Sequence, residues 1–184
     1  MIFSTTAAYA IYPMGVEIDQ IIDALNSEGC RDEDLCLLLT PTHRLAQAVR
    51  DARVAPNVPN SDPPTSGLLQ RLSRFGAVII PGLAFFVSSR VFLRAVLAPC
   101  PANHNSAYAD SLIGLGLPPQ DADRYGHRLG LDSIMVFVCC SGAARAHWIR
   151  EILRTTGAEE AVCLQEAVGT GYAVDLESPL LAVT

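Results

Sequence analysis

Two segments at opposite ends of this chain repeat one pattern, and that repetition constrains the fold more than any other feature. Ile18, Ile21, Leu25 and Gly29 fall in step with Ala146, Ile149, Leu153 and Gly157. Each set marks one apolar stripe of an amphipathic helix, stopped by a glycine. Each helix follows a β-prone run, Ala7–Tyr12 in one case and Ser133–Cys140 in the other. Each then passes through a short acidic turn, Asp32-Glu33-Asp34 or Glu159-Glu160, into a second β-prone run, Leu35–Thr40 or Ala161–Gln165. The chain therefore reads as β-α-β written twice.

Two right-handed β-α-β units that interleave their strands make an antiparallel sheet with both helices on one face. The expectation is an α+β, ferredoxin-like domain with four core strands near 8–12, 35–40, 133–140 and 161–166. A single domain spans 1–184. Its halves are 7–40 and 133–166, with a mostly helical insertion at 41–130 and a tail at 167–184. The 184 residues, half of them hydrophobic, are enough for one substantial core.

Within the insertion, Pro41-Thr42 opens an expected short helix through Ala52. Residues 54–66 hold Pro56, Pro59, Pro63 and Pro64 and read as an exposed loop. Phe75–Ser89 is free of charge and interrupted by Pro81-Gly82. It is shorter than the ~20 residues of a spanning helix, so 75–98 reads as a buried helical hairpin, with membrane association as the alternative. Helices are expected from Ala107 to Leu115 and from about Pro119 to Leu129. Both alternating faces of Leu35–Thr40 and Ile134–Cys140 are apolar, yet two helices cover only one face of a sheet. The hairpin or a second subunit is expected to cover the other, and with it a homodimer. The tail, with Tyr172, Val174 and Leu176, is a further contributor to such an interface as an added edge strand.

The order of several segments resembles the bacterial general-stress-protein domains of the heat-induced, YflT-like kind. The matching stretches are Ala24–Gly29 followed by Asp32–Leu35, Ile80-Pro81-Gly82-Leu83, Leu115-Gly116-Leu117-Pro118 through Tyr125, and Gly157-Ala158-Glu159-Glu160. The likeness runs from about Ala8 to Glu166. This chain departs in a longer Pro-rich loop, a bulkier insertion and an added tail. The resemblance implies a non-enzymatic or uncharacterised role linked to stress, and it transfers no catalytic residue.

The formal charge is −6 and all 13 basic residues are scattered arginines. Nucleic acid and anionic membrane surfaces need clustered cations, so both are poor partners for this chain. Met1–Tyr12 has no basic residue and is interrupted by Ser4, Thr5 and Thr6, so no signal peptide is read and a cytoplasmic location follows as the default. The six cysteines show no C-x-x-C spacing and are expected as thiols.

One short motif carries chemistry. Cys139-Cys140-Ser141-Gly142-Ala143-Ala144-Arg145 matches C-x-x-G-x-x-R where a strand leads into a helix. That is the plan of a cysteine-phosphatase anion loop: helix-terminal N–H groups and an Arg hold phosphate and depress the thiol pKa. Cys139 or Cys140 would be the nucleophile and Arg145 the anion clamp, with Ser141 and Gly142 lining the ligand. The His and Ser/Thr that flank such loops are Val138 and Ala146 here, and only Asp62 suggests itself as an acid. A strand followed by a helix N-capped by Ser141 explains the same residues structurally.

His43, His104, His127 and His147 lie in separate segments without ligand spacing, so no metal is expected. Gly114-x-Gly116 and Gly169-x-Gly171 lack the setting of a dinucleotide fingerprint, and no cofactor is expected. Tyr9, Tyr12, Phe137 and Trp148 are expected in core or interface, and Asp121, Asp123 and Asp132 at helix ends and loops. The leading functional expectation is a binding or structural domain acting through self-association or a small ligand.

Overall fold

The computed structural model describes residues 6–40, 42–43, 76–80, 83–87, 107–131 and 133–164. The elements in chain order are β1 (Ala7–Pro13), α1 (Ile18–Ser27), β2 (Leu35–Leu39), β3 (Gly76–Ile80), β4 (Leu83–Val87), α2 (Ala107–Gly114), α3 (Pro119–Gly130), β5 (Ser133–Cys139), α4 (Ala143–Thr155) and β6 (Glu160–Leu164). A single 3-10 turn, Asp32–Asp34, leads into β2. The expected helix after Pro41, the Pro-rich loop and the tail lie outside the described residues.

The two helices of the repeat end in the same way. Gly29 has φ 81° and Gly157 has φ 95°, the left-handed region that a side chain disfavours. The Gly29 N–H donates to the Asn26 carbonyl and the Cys30 N–H to that of Leu25, at 2.9 and 3.0 Å. Gly157 and Ala158 donate in register to Arg154 and Leu153, both at 3.2 Å. These paired bonds satisfy the last carbonyls of each helix and turn the chain back toward the sheet.

The sheet is antiparallel at every pairing, in the order β3-β4-β2-β5-β1-β6. The last four strands in that order, β2-β5-β1-β6, are the ferredoxin-like sheet that the duplicated β-α-β units dictate. Ala7↔Cys139 through Pro13↔Ser133 join β1 to β5, and Ala7↔Leu164 through Ile11↔Glu160 join β1 to β6. The stretch read as a helical hairpin is different: β3 and β4 form a β-hairpin that extends the sheet beyond β2. Two five-residue runs rich in Val, Ile and Phe, split by Pro81-Gly82, suit strand–turn–strand better than helix.

Strand alternation sorts the core into two layers. Ala8, Ala10, Tyr12, Leu35, Leu37, Leu39, Ile134, Val136 and Val138 face α1 and α4, meeting Ile18, Ile21, Ile22, Leu25, Ile149 and Leu153. Ala7, Tyr9, Ile11, Cys36, Leu38, Met135 and Phe137 face the other way. They meet Ala109, Leu112, Leu115, Leu117, Ala122, Tyr125 and Leu129. Among the described residues the second face is covered by α2 and α3, the helical end of the insertion. Helices flank the sheet on both sides.

Candidate functional site

The Cys139–Arg145 loop sits where β5 hands over to α4. Pairing continues one residue past β5, since the Cys140 N–H donates to the Thr6 carbonyl at 2.9 Å. Ser141 is exposed and does not cap the helix; the N-cap residue is Gly142, without a side-chain cap. The expected Ser141 cap is therefore absent. The first turn is instead closed by the backbone, with the Ala146 N–H on the Gly142 carbonyl at 3.0 Å.

Alternation along β5 sends the two thiols to opposite sides of the sheet. Cys139 packs with the α2–α3 layer. Cys140 packs with the α1–α4 layer. Arg145, in the first turn of α4, reaches over the end of α1. Its Nη2 donates to the Glu28 carbonyl and lies 3.7 Å from the Cys30 Sγ. A guanidinium there complements the negative end of a helix. Arg145 is thus occupied as the C-terminal clamp of α1, on the sheet side opposite the Cys139 thiol.

The electrostatics agree with that separation. Burial, with smaller contributions from Asp34 and Cys140, pushes the Cys139 thiol up to about 12. Burial also pushes Cys140 up to about 11, although the Ala8 backbone and Arg145 pull the other way. Cys36, fully enclosed, is raised further, and Cys30 is raised by burial against the pull of Arg145. A phosphatase nucleophile needs the reverse shift, toward thiolate at neutral pH. The sequence motif and its expected geometry therefore part company: Ser141 and Gly142 stand at the loop, but Cys139 and Arg145 do not converge.

A second polar cluster lies where α3 crosses β1 and β6. The Tyr125 hydroxyl donates to Glu160 Oε1 at 2.6 Å and accepts from Arg124 Nη2 at 2.7 Å. Arg124 also donates to Glu160 at 2.9 Å, and Arg128 donates to Glu160 at 3.2 Å. Arg124 reaches back to Asp121 at 3.3 Å, while Arg128 also pairs with Glu159. The Tyr125 ring meets that of Tyr9 edge-on at 5.4 Å, and Tyr9 stacks on Phe137 at 6.3 Å. The Arg124 guanidinium sits 4.4 Å from the Tyr125 ring centre. Burial, with a smaller contribution from Asp121, pushes the Tyr9 hydroxyl up to about 12. Burial and then the bond to Glu160 raise Tyr125 further. For Glu160 burial works upward, but the bonds from Tyr125 and Arg124 and the charges of Arg124 and Arg128 outweigh it, and the carboxyl lies below its ordinary value.

This cluster bolts α3 to the edge strand of the sheet. Sequence reading placed Tyr9 in the core and Asp121 at a helix end but did not connect Tyr125 with Glu160. They are 35 residues apart and on different elements. A signal existed in the spacing of Asp121, Arg124 and Arg128, one charged ridge of α3.

Other residues singled out are structural. The buried Tyr12 hydroxyl donates to the Leu153 carbonyl at 3.0 Å and meets Thr156 Oγ1 at 2.8 Å. Trp148 is 54% exposed, with its Nε1–H on Glu28 at 3.1 Å. His147 is exposed on α4, its Nδ1 2.9 Å from the Ala143 carbonyl. Among the described residues no group of three or more His, Cys, Asp or Glu side chains is placed to hold a metal ion. Among them too, no helix is long and apolar enough to cross a membrane. Asp62, His104, Asp132 and Cys100 lie outside the described residues. Comparison with protein-family models, with curated proteins and with solved structures finds no match for this chain.

Proposed function

We propose that this chain is a non-enzymatic binding or structural domain, of the general-stress type its sequence resembles, and that it acts by self-association into a homodimer. One observation carries the reading. Among the described residues both faces of the β2-β5-β1-β6 sheet are covered by the chain's own helices, while β6 is partly exposed along its length and pairs with β1 alone. Self-association therefore moves from the sheet face, where the sequence suggested it, to the sheet edge. An edge strand presents a row of backbone donors and acceptors that another strand satisfies. The separation of Cys139 from Arg145 supports the non-enzymatic side of the proposal.

Sedimentation velocity over a concentration series, without detergent, tests it. The expected result is a dimer that dissociates on dilution. A monomer at every concentration overturns the reading. So does reproducible hydrolysis of an aryl phosphate that Cys139→Ser abolishes.

A further inference from the structure

We infer that Cys36 and Cys139, diagonal neighbours on one face of the β2–β5 pair, form a two-thiolate site for a soft monovalent metal ion, Cu(I). The ladder sets Leu35 opposite Val138 and Cys36 opposite Phe137. Cys139 lies two residues beyond Phe137, so alternation returns it to the face that carries Cys36. Both thiols accordingly pack in the α2–α3 layer. Diagonal neighbours across a strand pair are about 7–8 Å apart, somewhat less between their Cβ atoms. A disulfide needs its Cα atoms within about 4.4–6.8 Å, so the ladder holds this pair too wide for one. One metal ion spans the gap. Two metal–sulfur bonds, on the scale of about 2.3 Å for zinc–thiolate, set the sulfurs about 4.6 Å apart. Burial, with a smaller contribution from the charge of Cys139, raises the Cys36 thiol, in keeping with this proximity.

The surroundings select the ion. Cys36 is fully buried, while Cys139, at the end of β5, is partly exposed. The pair thus joins an enclosed anchor to a thiol that solvent can reach. The cross-strand neighbours are apolar: Phe137 opposite Cys36, and Ala7 opposite Cys139. The carboxylate whose charge reaches Cys139 is Asp34, and both its oxygens accept from Arg31 at 3.1 Å. Thiolates favour soft ions such as Cu(I), whereas Mg and Ca take oxygen ligands. Zn(II), which takes four ligands in a structural site, fits two thiols less well. Binding replaces both S–H protons, which pass to the buffer, by two Cu–S bonds. Copper enters and stays as Cu(I), so no electron moves.

Anaerobic titration of the reduced full chain with Cu(I) held by the coloured chelator bicinchoninate tests the site. The unaltered chain is expected to withdraw Cu(I) from the chelator. Cys36→Ala and Cys139→Ala should each abolish that withdrawal. Cys140→Ala, next in sequence but on the opposite side of the sheet, should leave it unchanged. Circular dichroism reads whether each variant folds, and the Cys139→Ala and Cys140→Ala pair decides the matter if Cys36→Ala does not. No withdrawal of Cu(I) by the unaltered chain overturns the inference. So does withdrawal that survives Cys139→Ala, or that is lost in Cys140→Ala.

Discussion

Tyr125→Phe removes one oxygen from the hub of the α3–β6 bolt. Tyr125 is 0% exposed, so its hydroxyl has no water to replace what is lost. That hydroxyl donates to the Glu160 carboxylate at 2.6 Å and accepts from Arg124 at 2.7 Å. A hydrogen bond to a charged group contributes roughly 1.5–3 kcal/mol. The remaining Arg–Glu pairs are partly exposed and worth about 0–1 kcal/mol each, and the variant leaves them in place. The expected loss is therefore about 2 kcal/mol, a substantial share of the roughly 5–15 kcal/mol by which domains are stable. With a urea slope of about 2–3 kcal/mol/M, the midpoint should fall by close to 1 M, to roughly that precision. Urea unfolding followed by circular dichroism reads it.

The loss should also depend on pH in a defined direction. The Glu160 carboxyl is held below its ordinary value in the fold. Its contribution is fully present above the unfolded value, about 4.3, and disappears as pH falls through the lower folded value. The difference between the parent chain and Tyr125→Phe should shrink over that acidic window. Glu160→Gln should be non-additive with Tyr125→Phe, because the two residues share one bond. An unchanged midpoint at neutral pH, or strict additivity of the two variants, would refute the reasoning.

The remaining predictions concern the core, the helix ends and the thiols. Leu153→Ala empties a fully buried site between α4 and the sheet and should cost about 2–5 kcal/mol in the same assay. Gly157→Ala places a side chain at φ 95° and should cost about 1–2 kcal/mol; open space around that position leaves backbone strain as the cause. Cys139 and Cys140, with pKa values pushed up to about 12 and about 11, should react slowly with an aromatic disulfide at pH 7 and faster as pH rises toward those values. Vanadate should show no binding heat by titration calorimetry, and Cys139→Ser should leave that unchanged.

Much of the fold was legible because local chemistry and tertiary role agreed. The stripe Ile18, Ile21, Ile22 and Leu25 is the buried face of α1, and Gly29 stops it. Ile134–Val138 reads as strand because it is apolar on both faces, and it runs between β1 and β2. The 76–87 hairpin was not legible as such. Continuous apolar runs lack a period, so helix and strand cannot be told apart by pattern, and the five-residue lengths on either side of Pro81-Gly82 were the better guide. Which helices cover the second sheet face depends on long-range packing that no local pattern encodes. Ala122, Tyr125 and Leu129 mark a buried stripe on α3, but not what it lies against.

The residues of the phosphatase-like motif are separated by parity. Spacing placed Cys139 and Arg145 correctly along the chain, yet strand alternation turns Cys139 toward α2–α3 while Arg145 closes the end of α1. The Tyr125–Glu160 bond joins elements whose adjacency exists only once β6 has paired with β1.

Self-association through the sheet edge makes β6 an edge in the free chain and an interior strand in the assembly. Hydrogen–deuterium exchange of the Glu160–Leu164 amides, measured over a dilution series, reads this directly. The expected result is protection at high concentration that falls on dilution, while the β5 amides stay protected throughout. β6 exchange that does not change with concentration would contradict it.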